Sequence, residues 1–71
     1  MEISIKIKLG KKIKRLRKKC RYTQDKLSEL ANIDYKYLQK IEGKNPPNLR
    51  IGTIEKFAKA LKVKPAELLK F

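Results

Sequence analysis

Thr23-Gln24-Asp25-Lys26-Leu27-Ser28-Glu29-Leu30-Ala31-Asn32-Ile33-Asp34-Tyr35-Lys36-Tyr37-Leu38-Gln39-Lys40-Ile41-Glu42-Gly43 holds the clearest local structural signals in the chain. Thr23 is a helix N-cap residue, and Asp25 falls in the first turn, where the helix dipole favours negative charge. Leu27, Leu30 and Ala31 then recur at helical spacing. Asn32 tolerates the left-handed conformation that ends a helix sharply. Ile33 follows as a lone apolar plug. Asp34 can cap a second helix, on which Leu38 and Ile41 share one face. Gly43 lies just past Glu42, where a C-terminal glycine stop is expected. Two short helices joined by a tight turn, the second polar on its outer side, form a helix-turn-helix.

The same residues, in the same order, resemble the lambda-repressor and Cro-like helix-turn-helix family. That motif opens with Ser or Thr and then Gln, held here by Thr23 and Gln24. A small residue follows four positions after the Gln (Ser28), and Asn32 stands where the family has a turn glycine. Leu38 and Ile41 are the paired apolar residues, and Glu42-Gly43 closes the motif. Flanking matches are Leu9-Gly10, Ile13 and Leu16-Arg17 before it, then Ile54, Ala58, Leu61, Val63 and Leu68 after it, so the likeness spans nearly the whole chain. It implies an all-α fold: a compact five-helix lambda-repressor-like DNA-binding domain over residues 9–71, built around a helix-turn-helix. Arg21 departs from the pattern, because the family usually has Gly where the first helix ends. A non-glycine residue held left-handed costs about 1 kcal/mol, so either that cost is accepted for a phosphate-facing cation or the helix ends differently.

Residues 1–8 read differently. Ile3, Ile5 and Ile7 alternate with Ser4, Lys6 and Lys8, a period of two that predicts a short N-terminal β-strand. No second strand is evident in the chain. The strand would pair with its copy in a second subunit, through Glu2 to Ile7, hiding both edges. The alternatives are a frayed terminus or a basic arm that orders on nucleic acid. From Leu9 the period becomes helical, with Leu9, Ile13, Leu16 and Cys20 forming a stripe on a helix whose remaining surface is Lys and Arg, read as a solvated face. After Glu42, the segment Lys44-Asn45-Pro46-Pro47-Asn48 is a loop, because two prolines forbid helix there. Ile54, Phe57, Ala58 and Leu61 mark a fourth helix. Pro65 suits the first turn of a final short helix carrying Leu68 and Leu69. The end of the chain, from Leu68 to Phe71, is a second candidate for a subunit contact.

Composition sets the outer bounds. Seventy-one residues make one small domain. Twenty basic against seven acidic residues, a net charge of +13, favour a polyanionic partner. With no histidine and one cysteine, neither a zinc site nor an internal disulfide is expected. No cofactor, small-molecule ligand or membrane span is evident, no nucleophile–base pair or phosphate loop suggests an enzyme, and a cytoplasmic protein is expected.

The predicted site follows from the motif. With Leu38 and Ile41 inward, the helix from Asp34 to Glu42 turns Tyr35, Lys36, Gln39 and Lys40 outward. Lys can donate to guanine O6 and N7, and Gln can pair with adenine N6 and N7, in the major groove of double-stranded DNA. The resemblance assigns these four residues to base reading. Gln24 at a helix N-terminus, Tyr37, and Lys44, Asn45 and Arg50 beyond the second helix are candidates for phosphate contacts. By the same resemblance Arg17 pairs with Glu42 as an internal ion pair joining the first and third helices. A transcriptional repressor or regulator, acting as a homodimer on an inverted repeat, is the leading expectation. A low-specificity DNA or RNA binder and an interaction module for an acidic protein are the rivals.

Overall fold

The computed structural model describes residues 4–71. Five helices follow one another: α1 (Ile5–Lys19), α2 (Gln24–Ala31), α3 (Tyr35–Ile41), α4 (Ile51–Leu61) and α5 (Pro65–Leu68), with no strand among the described residues. α2 packs against α3 and α4, α4 against α5, and α1 lies across α4 and α5. Their apolar stripes meet in one core of Leu9, Ile13, Leu27, Ala31, Leu38, Ile41, Phe57, Ala58, Leu61 and Leu68. Among the described residues no helix is long and apolar enough to cross a membrane, and no group of side chains could hold a metal ion.

The N-terminal strand expectation requires correction. Ile5 to Lys8 are the first turn of α1, and residues 1–3 of the expected strand lie outside the described residues. Ser4 caps this turn: the Ile7 N–H donates to its hydroxyl at 3.4 Å, and the Lys8 N–H to its carbonyl at 3.1 Å. The physical reason is cooperativity. Adding a turn to a helix already nucleated gains one hydrogen bond per residue fixed, whereas a lone strand has no ladder to join. Pairing of Glu2 to Ile7 as a strand between subunits is therefore excluded for its Ile5–Ile7 portion.

Three helices end on the same device, without glycine. Arg21, Asn32 and Lys62 have φ of 62°, 54° and 61°. After each, an apolar residue sends its N–H back to a carbonyl one turn earlier: Tyr22 to Arg17 (3.1 Å), Ile33 to Ser28 (2.9 Å) and Val63 to Ala58 (3.0 Å). These are Schellman closures, in which the apolar residue folds back onto the helix it ends. Tyr22, Ile33 and Val63 all pack against the core. Arg21 thus takes the left-handed position that the family gives to glycine, and the strain is accepted.

Two glycines serve space rather than φ. Gly10 lies mid-helix where α1 crosses the end of α3, and a Cβ there would overlap the Ile41 carbonyl oxygen. Gly43 does follow α3, but its φ is not positive; a Cβ would meet the Gln39 carbonyl oxygen at 3.2 Å. The expected left-handed glycine stop is absent there, and α3 closes through the Gly43 N–H to the Lys40 carbonyl at 3.1 Å.

Candidate nucleic-acid interface

Both helices of the motif are capped at their N-termini by side chains. Thr23 Oγ1 accepts from the Lys26 N–H at 3.0 Å, and Asp34 Oδ2 accepts from the Tyr37 N–H at 3.2 Å. Ser28, buried between the helices, donates its hydroxyl to the Asp25 carbonyl at 2.7 Å. Leu38 and Ile41 are fully buried, which fixes the rotation of α3. Tyr35, Lys36, Gln39 and Lys40 are all exposed and fall within an arc of about 140° on its outer side. Tyr37 lies on the inner half, partly buried against the core.

The back of α3 is anchored by a charged node. Arg17 Nε donates to Glu42 Oε2 at 2.9 Å and Nη2 to Glu42 Oε1 at 3.0 Å, a two-pronged pair. Arg17 Nη1 donates to the Tyr22 carbonyl at 2.7 Å, and Gln24 Nε2 to Glu42 Oε1 at 3.1 Å. The Arg17 and Glu42 side chains are 10% and 2% exposed. A single carboxylate at the end of α3 therefore gathers the end of α1 and the start of α2. Gln24, half-buried at the first position of α2, gives one of its two amide N–H groups to this node.

The remaining phosphate candidates flank α3. Lys44 and Asn45 are exposed in the loop that follows it, and Arg50 is exposed as the residue before α4. Pro46 is buried within the same loop, so the connection is held against the body while its cations face outward. Lys44 and Asn45 thus follow directly on the helix that carries the base-reading candidates, and Arg50 lies at the far end of the same connection.

Several placements were not legible in the sequence. Lys12, assigned to the solvated face of α1, is 9% exposed and lies 3.4 Å from Glu67 Oε2. Leu30, placed on the apolar spacing of α2, is 44% exposed, Leu69 of the Leu68–Phe71 contact candidate is 49% exposed, and Ile51 is 87% exposed. Of the candidate subunit contacts at the end of the chain, Leu68 is fully buried in the core and Phe71 remains in solvent. Cys20 is partly buried, its Sγ 4.0 Å from the Leu61 carbonyl oxygen.

Comparison with known proteins agrees with this fold. Residues 12–71 match the family model of the Cro/C1-type HTH DNA-binding domain. No curated protein sequence matches the chain. Among solved structures, the restriction-modification controller protein C.AhdI from Aeromonas hydrophila is 30% identical with a TM-score of 0.83, covering 89% of this chain and 94% of its own. The controller protein C.Esp1396I bound to a 25 base pair operator site is 31% identical with a TM-score of 0.83, covering 94% and 87%. A hypothetical transcription factor, NHTF from Neisseria, is 27% identical with a TM-score of 0.87, covering 94% and 76%.

Proposed function

This chain belongs to the family of Cro/C1-type helix-turn-helix DNA-binding domains, and from that premise we propose that it is a transcriptional regulator that reads duplex DNA sequence with α3 in the major groove. The observation that carries the reading is the rotation of α3. Its apolar face is fully buried and its end tied to Arg17, so Tyr35, Lys36, Gln39 and Lys40 stand out as a preorganised row. The operator-bound C.Esp1396I supports it, because this chain shares that fold over nearly its whole length.

In this reading Lys36 and Lys40 donate to guanine edges, Gln39 pairs with adenine, and Tyr35 packs on a thymine methyl or bonds a phosphate. Gln24, Tyr37, Lys44, Asn45 and Arg50 set the register through phosphates, with the N-terminus of α2 adding free backbone N–H groups. One such helix reads only a few base pairs, so two copies act on an inverted repeat with half-sites about one helical turn apart. Ile51, 87% exposed, is an apolar side chain that a subunit contact would cover. The protein acts as a repressor by occupying its operator inside the cell, without catalysis.

Selection of bound sites from a random duplex pool at physiological salt, where nonspecific binding is suppressed, tests this directly. An enriched inverted repeat is expected. A pool that binds without converging refutes sequence reading, and no retained duplex refutes DNA binding.

A further inference from the structure

The positive charge of this chain is not confined to the side that carries α3. A groove of about 590 Å³ runs between α1 and the end of the chain. Lys8, Lys11, Lys12 and Arg15 line one wall, and Glu67, Lys70 and Phe71 the other. Gly10, which meets α3, marks the opposite side of α1: at about 100° per residue, the four cations centre roughly 150° around the helix from it. Bases read by α3 are therefore out of their reach.

Among the described residues Glu67 is the one acidic side chain lining the groove, and it is shared by Lys12 at 3.4 Å and Lys70 at 4.0 Å. Among the described residues, Lys8, Lys11 and Arg15 have no carboxylate within ion-pair distance. Their spacing repeats every three or four residues, about 5–6 Å between neighbours on a helix. Carboxylates placed one turn apart on a facing helix have the same repeat. The groove also offers apolar surface. The Phe71 ring is 60% exposed with Lys8 Nζ 5.8 Å from its centroid, and the Lys12 stem is buried along the floor.

We infer that this groove is a docking site for an acidic amphipathic helix of a partner protein, engaged while α3 holds DNA. The row of unpaired cations matches a row of Glu or Asp, and the aromatic wall accepts an apolar side chain between them. A duplex backbone matches the charge, but its bases are stacked inside and leave Phe71 uncovered. The site would let a DNA-bound regulator recruit or be restrained by a second protein on its outer face. The inference uses the proposed function only to locate the DNA side.

The test measures fluorescence anisotropy of a labelled synthetic helix, Glu on one face and Leu one turn apart, titrated with the full chain saturated with its selected duplex. Lys11→Glu with Arg15→Glu reverses the groove. Lys56→Glu with Lys59→Glu, exposed on α4 and outside the groove, makes the same change in net charge. The groove variant is expected to bind the peptide at least about tenfold more weakly and the α4 variant within about twofold of the parent, both keeping duplex affinity within about twofold. Equal losses in the two variants, a groove variant that loses duplex affinity as it loses peptide, or no peptide binding by the parent overturns the inference. If the parent fails to hold any duplex, the proposed function falls instead, and the same titration on the free chain still decides the groove.

Discussion

Replacing Arg17 by Met removes the cation of the buried node and leaves Glu42, 2% exposed, with Gln24 as its remaining side-chain donor. Two donor contacts at 2.9 and 3.0 Å disappear, and the Tyr22 carbonyl loses its 2.7 Å donor. Because neither charge faces solvent, screening offers little relief, and breaking such a pair costs about 3–5 kcal/mol. The whole domain is worth roughly 4–10 kcal/mol at this length, so Arg17→Met is expected to consume about half its stability or more. Urea unfolding followed by far-UV circular dichroism reads this as a lower midpoint with an unchanged slope. In heat the loss corresponds to a fall on the order of 15–30 °C in Tm. Adding Glu42→Gln to Arg17→Met removes the stranded charge and is expected to recover at least about 1 kcal/mol, a coupling that separates electrostatics from packing. A loss under about 1 kcal/mol for the single variant, the range of an exposed ion pair, would refute the reasoning. So would a double variant no better than the single one.

Other substitutions probe the backbone and the interface. Gly10→Ala is expected to cost about 2 kcal/mol in spite of its better helix propensity, because the new methyl overlaps the Ile41 carbonyl oxygen. Gly52→Ala, with nothing within 4 Å, should instead gain about 0.5–1 kcal/mol; the contrast in Tm checks both. Arg21→Gly and Lys62→Gly each relieve a left-handed residue and should stabilise by about 1 kcal/mol, read from the same unfolding curves. For DNA, Lys40→Ala is expected to flatten the preference among operator variants. Arg50→Ala should weaken all sequences alike and reduce the slope of log affinity against log salt by nearly one unit. Uniform weakening by both would remove Lys40 from base reading.

The helix-turn-helix was legible because its determinants are local. Thr23, Asn32 and Asp34 each act on a backbone group within a few residues, and Leu38 and Ile41 set the rotation of α3 by spacing alone. The fold class, the boundaries of α2 and α3, and the outward row from Tyr35 to Lys40 all follow from that. The Arg17–Glu42 pair came from the family resemblance, since nothing in the spacing of two residues so far apart predicts their meeting. The N-terminal alternation misled because period two and period four both place Ile3 with Ile7, and a strand reading ignores the helix that waits at Leu9.

Short-range structure could therefore be read directly from the residues: caps, periodic faces, the proline loop, and the excess of positive charge. Tertiary structure alone decided where those faces meet. It turned Gly10 into a contact with α3, drew Lys12 under Glu67, left Leu30, Ile51 and Leu69 in solvent, and divided the cations between the α3 side and a groove behind it. The physical reason is range. A hydrogen-bonded cap or a helical stripe is fixed by neighbours in the chain, whereas burial of a given side chain depends on which distant surface arrives to cover it.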